Sequence, residues 1–494
     1  VTFSTPGSFV FKQPLTTMHT QPFFVAVIIL LHPFMLSANA IQFEDYLFVS
    51  NQQDTVEAEL GQFRVPENRS HPDGKQLTLK LIRFKSTNPN PGSPIIYLSG
   101  GPGGSGSGTA KRSRFQLFMQ LREVADVIAF DQRGTGLSNE LPRCPDYLQL
   151  DLLTPYQKED YLKETTGLIQ NCLSFYQEEG HDLSAYNTTE SAADIEDLRK
   201  ALAVEKISLW GISYGSHLAF EYIRQYESKL DKVVLASLEG PDEMIKLPSN
   251  TEAFLKEICA RAADNYGFEP KYPELPALIS EVHKQLRQKP VVVSYTDRRG
   301  QPDTVAISEF ELQATMASFF LKNPEDSKKL PAAYAKMATA DFSEIAPLVA
   351  IMKKYYLTGF RPMSFAMDMA SGISGQRRQQ VKNELDKSTL GYINFFFLEW
   401  LDQIDFPTLP DVFRTLPESQ VDILLLSGTL DGRTYLPAAK TIAQQFPNGQ
   451  HIIIDNAGHD LFMASPVIGD LIQRYFEGKK LRVQSLQLAP TPFE

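Results

Sequence analysis

Six short apolar runs rich in β-branched residues punctuate the chain: 94–98 (PIIYL), 126–130 (DVIAF), 207–210 (ISLW), 232–235 (KVVL), 423–426 (ILLL) and 451–454 (HIII). Runs of this length and composition read as strands buried on both faces. Upstream, 78–85 (TLKLIRFK) alternates polar and apolar positions, the pattern of a half-buried antiparallel strand. Helical spacing separates the buried runs, as at 191–203 (SAADIEDLRKALA) and 216–224 (SHLAFEYIR). Strands alternating with helices predict a mostly parallel sheet with helices on both faces. The alternation stops after Glu239-Gly240-Pro241 and resumes near Val421. The stretch between reads mainly as helix, with 289–296 (KPVVVSYT) as a strand. Connections so long are rarely structureless, so it is expected to be a large, mainly helical cap inserted late in the sheet. The expected division is a core of residues 41–240 and 416–494 and a cap of residues 241–415.

The apolar stretch 22–36 (PFFVAVIILLHPFML) has a different meaning. It is broken at His32-Pro33, falls short of a membrane span, and leads into Ser37-Ala38-Asn39-Ala40, the small-x-small form of a signal-peptidase site. Residues 1–40 are therefore expected to be a signal peptide, with Met18 as its start, residues 1–17 as an upstream extension and Ile41 as the mature terminus. That predicts a secreted or periplasmic protein without stable membrane association; a retained anchor is the competing reading. Export permits disulfides. Of the three cysteines, Cys144 and Cys172 lie 28 residues apart in one polar stretch and are the expected pair, leaving Cys259; the alternative is three unpaired thiols. None has metal-ligand spacing, and no metal or cofactor is expected. With 43% hydrophobic and 22% charged residues the chain is globular rather than disordered or fibrous. A net charge of −11 without any Lys/Arg-rich run argues against nucleic acid as a partner.

The strand ISLW runs into Gly211-Ile212-Ser213-Tyr214-Gly215, and a helix follows at once. A G-x-S-x-G turn between strand and helix exposes the serine hydroxyl above the sheet, which makes Ser213 the candidate nucleophile. A hydroxyl attacks only when a base takes its proton. With such an elbow the acid and then the histidine follow in the chain. Four histidines follow Ser213: His217, His283, His451 and His459. His217 is one turn along the nucleophile's own helix, His283 lies in the polar cap, and His451 opens a strand. His459 follows the strand HIII on a loop at its C-terminal end, the edge where catalytic groups gather, and is the candidate base. Asp431 occupies the corresponding place after ILLL and is the candidate acid that fixes the imidazole tautomer. Asp455 and Asp460 are its rivals.

The strand PIIYL ends in Ser99-Gly100-Gly101-Pro102-Gly103-Gly104-Ser105-Gly106. Gly101 to Gly106 fits G-x-G-x-x-G, and Asp131 follows 25 residues after Gly106, as in a dinucleotide site. Pro102 stands against this, because it removes a backbone N–H where a phosphate needs one. The better reading is an oxyanion hole made by the N–H groups of Gly101 and of Tyr214, the residue after the nucleophile.

Together these motifs resemble the proline iminopeptidase and tripeptidyl aminopeptidase family of α/β-hydrolases. Gly100-Gly101-Pro102-Gly103 resembles its oxyanion loop, and Asp131-Gln132-Arg133-Gly134-Thr135-Gly136 resembles its structural turn beside the site. The elbow resembles the family's own, and residues 426–436 with 456–459 resemble its acid and base region. The resemblance spans residues 75–240 and 415–465. It implies the α/β-hydrolase fold and an exported serine exopeptidase acting on peptides with a free N-terminus, whose ammonium is held by carboxylates. Glu239, just past KVVL, is the candidate for that binding; its competing reading is a carboxylate satisfying a local turn. The alternative functions are an esterase or amidase acting on small molecules with the same triad, and a non-catalytic binding protein on the same scaffold.

Overall fold

The computed structural model describes residues 40–265, 272–356, 358–391, 393 and 396–494. All but the last residue of the expected signal peptide lies outside them. The strands are β1 (Gln42–Val49), β2 (Thr55–Pro66), β3 (Gln76–Phe84), β4 (Ile95–Leu98), β5 (Val127–Asp131), β6 (Ile207–Ser213), β7 (Leu230–Leu238), β8 (Val291–Thr296), β9 (Pro302–Ile307), β10 (Asp422–Gly428), β11 (Gln450–Asp455) and β12 (Ser485–Gln487). Ten of them form one sheet in the order β1-β2-β3-β5-β4-β6-β7-β10-β11-β12. The pairings β1/β2, β2/β3 and β3/β5 are antiparallel, and from β5 onward the sheet is parallel.

The six apolar runs are the central strands, and the period of two along them sorts the core. Ile96, Leu98, Leu209, Val233, Leu235, Ile423 and Leu425 pack on one face. Their neighbours Ile95, Tyr97, Trp210, Val234, Ala236, Leu424 and Leu426 pack on the other. The helices Thr188–Ala201 and Tyr214–Tyr226 cover the first face, and Phe115–Leu121 and Pro466–Phe476 cover the second. The alternating run at 78–85 is β3, which joins the parallel part to the antiparallel extension. The hairpin partners β1 and β2 were not read from the sequence. Most positions of β1 are exposed or half-buried, so its apolar pattern is weak.

Between β7 and β10 the chain forms helices and one hairpin. The run KPVVVSYT is β8, and β9 is its unforeseen antiparallel partner. This insertion has its own core, including Ile258, Val282, Ile307, Leu312, Met316 and Tyr334. Cys144 and Cys172 form a disulfide, and Cys259 is a buried free thiol. Among the described residues no helix is long and apolar enough to cross a membrane.

Candidate active site

β6 ends at Ser213, and the helix Tyr214–Tyr226 starts at the next residue. Ser213 has φ 57° and ψ −127°, a strained conformation for a residue with a side chain. The turn closes only because its flanks are bare: a Cβ on Gly215 would stand 2.2 Å from the carbonyl oxygen of Leu98. Ser216 Oγ donates to the Ser213 carbonyl at 2.6 Å and accepts from the Glu239 N–H at 2.9 Å, tying the elbow to the end of β7.

The glycine loop lies directly against the elbow, since a Cβ on Gly100 would be 3.0 Å from Ser213 Cβ. Gly101 has φ 134°, and among the described residues its N–H meets no protein acceptor. The Tyr214 N–H, first in its helix, has no intrahelical acceptor either. The loop is held from beneath by Asp131, which is fully buried and accepts from Ser105 Oγ, Ser107 N, Ser107 Oγ and Leu137 N. That carboxylate is saturated by the fold, so the dinucleotide reading loses its ribose partner. Arg133, also fully buried, donates to both Asp194 oxygens and to the carbonyls of Glu67 and Ala185. The D-Q-R-G turn is thus an internal clamp under the loop.

His459 Nδ1 lies 3.0 Å from both oxygens of Asp431. Asp431 is buried and also accepts from Arg433 N, Thr434 N and Thr434 Oγ1. Burial alone would raise its carboxyl, but His459 and the Thr434 donors hold it below the ordinary carboxylate value. The rivals are occupied elsewhere: Asp455 with Thr429 and Arg261, Asp460 with Arg114. The other three histidines that follow Ser213 are engaged elsewhere. His217 bonds the Gly240 carbonyl and Ser371, His283 bonds Tyr334, and His451 bonds Ser427. Ser213 and His459 line one cavity of about 1010 Å³. Among the described residues their side chains are not hydrogen-bonded to each other, a looseness common before substrate binds.

The insertion between β7 and β10 supplies Lys246, Lys322, Arg361, Ser364, Asp368 and Ile393 to the wall of this cavity. Three consecutive residues clasp the acid and base loops: the Leu321 carbonyl accepts from Gly432 N, the Lys322 carbonyl from His459 N, and Asn323 Oδ1 from Asp460 N. Gly458 makes room, since its Cβ would stand 2.6 Å from Asn323 Cα. On the far side Ser364, on the helix Pro362–Ser371, donates to the Pro102 carbonyl at 2.8 Å.

Glu239 also lines the cavity, but it is 3.3 Å from Lys246 Nζ, so its charge is partly compensated. The carboxylate that sequence reasoning missed is Asp368. It lines the same cavity and, among the described residues, its side chain makes no hydrogen bond or ion pair. Burial first, and Glu239 second, push its carboxyl well above the usual carboxylate range. One signal was available: Asp368 is the single charge in the otherwise apolar helix PMSFAMDMAS. A second, mainly aromatic chamber of about 280 Å³, lined by Phe360, Phe365, Phe396, Phe397 and Trp400, shares Arg361, Ser364 and Asp368 with the first.

Residues 93–269 match the family described as alpha/beta hydrolase fold, and residues 400–485 match that described as TAP-like protein. The chain is 29% identical over 188 residues to the serine protease Hip1 of Mycobacterium tuberculosis, covering 37% of this chain and 36% of that one. It is 27% identical over 193 residues to a tripeptidyl aminopeptidase of Streptomyces coelicolor, covering 37% and 35%. It is 30% identical over 159 residues to a putative proline iminopeptidase of Mycoplasma genitalium, covering 32% and 37%. The matched stretch spans little more than a third of each of these relatives.

Proposed function

From the premise that the chain is an α/β-hydrolase related to tripeptidyl aminopeptidases and proline iminopeptidases, we propose that it is an exported serine exopeptidase releasing residues from peptide N-termini. His459 takes the proton of Ser213 Oγ as the oxygen attacks the scissile carbonyl. The oxyanion that forms is met by the N–H groups of Tyr214 and Gly101, each worth roughly 3–4 kcal/mol in such sites. Asp431 keeps the Nδ1 proton in place and stabilises the imidazolium. His459 then hands its proton to the departing amine, leaving an acyl-enzyme on Ser213 that water hydrolyses by the reverse path.

The observation that carries the N-terminal reading is the bare Asp368 carboxyl beside Glu239 in the nucleophile's cavity. Lys246 answers only Glu239, so a substrate ammonium supplies the contact partner that Asp368 lacks, and the charge-assisted bond gains from the partial withdrawal of the site from water. The tie of insertion residues 321–323 to the acid and base loops at the cavity supports a site that takes a chain end rather than the middle of a folded protein. Export is supported by the disulfide between Cys144 and Cys172.

The aromatic chamber favours a second reading, an esterase or amidase that buries an apolar acyl group there. One experiment separates the two: matched free-amine and N-acetylated peptides, with casein as a control. The exopeptidase cleaves the free form much faster and leaves casein without internal cuts. Equal rates on the pair favour the esterase, and internal cuts in casein refute the exopeptidase.

A further inference from the structure

The chain carries a net charge of −11, yet the walls of the nucleophile's cavity reverse that sign. Six cationic side chains line it, Arg112, Arg114, Lys246, Lys322, Arg361 and Arg433, against three carboxylates, Glu239, Asp368 and Asp460. Some of these cations have partners: Lys246 is paired with Glu239, Arg114 with Asp460, and Arg433 donates to the Ser318 carbonyl. Among the described residues the side chains of Arg112, Lys322 and Arg361 make no hydrogen bond or contact ion pair, although Lys322 lies near enough to Asp460 to help hold that carboxyl down. Arg112 and Arg361 are exposed and Lys322 is half-buried, so they keep their water, and what they lend the cavity is a positive field that draws an anionic guest.

Two of the three belong to segments tied to the His459 loop. The Lys322 carbonyl accepts the His459 N–H, which fixes its residue against the base. Arg112 is two residues from Arg114, whose guanidinium grips Asp460, the neighbour of His459. The imidazolium can protonate the departing amine only if that amine lies beside it. The part of the substrate on the leaving side therefore passes Lys322 and Arg112. The bare carboxyl group, by contrast, is on the cap helix Pro362–Ser371 beside Glu239.

We propose that Lys322 and Arg112 bind a carboxylate on the leaving portion of the substrate, so that the enzyme selects short peptides carrying an anion just beyond the scissile bond. This rests on the exopeptidase reading and extends it: the cavity recognises a dipolar substrate, ammonium on the acyl side and carboxylate on the leaving side. The carboxylate comes either from the C-terminus of a short peptide or from an acidic side chain following the cleaved bond.

Three free-amine peptides of one length test this: one with a free C-terminus, its C-terminal amide, and an amide with Asp after the scissile bond. For the wild type, kcat/KM on at least one carboxylate-bearing peptide exceeds that on the plain amide by about tenfold or more. A fast free terminus identifies the C-terminal carboxylate as the source, and a fast Asp peptide identifies the side chain. In Lys322→Met with Arg112→Gln the ratio falls to within about twofold of one. The single Arg112→Gln, on an exposed side chain, gives a partial fall. Calorimetric affinities of the same peptides for Ser213→Ala protein follow the same order, a readout that survives even if turnover fails and the peptidase reading with it. Equal rates and equal affinities across the three peptides, or ratios unchanged in the double variant, overturn the proposal.

Discussion

Asp431, on the loop that follows β10, and Asp368, on the helix Pro362–Ser371 of the insertion, are both carboxyl groups at least partly withdrawn from bulk water, and they meet opposite fates. Asp431 is surrounded by donors, two backbone N–H groups, the Thr434 hydroxyl and the His459 ring, and is held below its ordinary value. Asp368 has no such donors and is pushed up. The sheet region supplies a finished charge whose donors, the His459 ring among them, all come from the protein itself. The cap region supplies an unfinished one, whose partner has to come from outside. Saturation, more than burial, separates a group that organises the site from one that reads a ligand.

The hardest test of the sheet side of this comparison removes its machinery. Ser213→Ala is expected to lower kcat on the order of a million-fold, and Asp431→Asn about ten-thousand-fold, with folded circular-dichroism spectra in both cases. Steady-state rates within tenfold of wild type for either protein would break the contrast at its stronger end. The cap side has a smaller and differently shaped effect. Asp368→Asn is expected to raise KM for free-amine peptides about tenfold while leaving acetylated peptides unaffected. In the wild type this KM falls as pH rises through the raised pKa of Asp368, because ionisation creates the charge that binds the ammonium. The variant loses that limb of the pH profile.

The smallest effect is on stability, and its sign differs between the two carboxyls. A raised folded pKa means that Asp368 costs stability as pH rises, so Asp368→Asn should melt roughly 2 °C higher at pH 8. That gain should vanish below about pH 4, where the carboxyl is protonated in both folded and unfolded chains. A depressed folded pKa means that Asp431 contributes stability at neutral pH and loses it as pH falls through that pKa. Asp431→Asn should therefore melt lower at pH 7, the difference closing in acid. Thermal scans at the two ends of the range check both signs, and melting shifts of the same sign for the two variants would remove the contrast.

Much of this organisation was written locally. The central strands announced themselves because a strand buried on both faces is apolar along nearly its whole length, as in IIYL and in VIAF before Asp131. The elbow was legible because its glycines are needed within five residues of one another, between a strand and a helix. His459 and Asp431 were legible because each directly follows such a strand. The outer strands β1, β2 and β9 were not: half-exposed strands tolerate polar residues, and the pattern fades. The two readings of the glycine loop diverged in sequence but not in space, where Asp131 closes on Ser105 and Ser107 and has nothing left for a ribose.

What the sequence by itself determined, then, were the elements whose logic is confined to a few neighbouring residues: buried strands, the nucleophile turn, and the loops that carry acid and base. The tertiary structure decided which charges share a cavity and which of them are already satisfied. Asp368 lies 155 positions from Ser213 and Lys322 lies 137 positions from His459, so no local pattern relates them. Only the fold brings the cap helix over the glycine loop and lays residues 321–323 across the acid and base loops. Only then is it settled that Lys246 answers Glu239 while the side chains of Asp368 and Arg112 line the cavity without a hydrogen-bonded or ion-paired partner among the described residues. The reason is physical: hydrogen-bond saturation belongs to a three-dimensional neighbourhood, and a chain of residue types does not specify it until packing has placed every donor beside its acceptor.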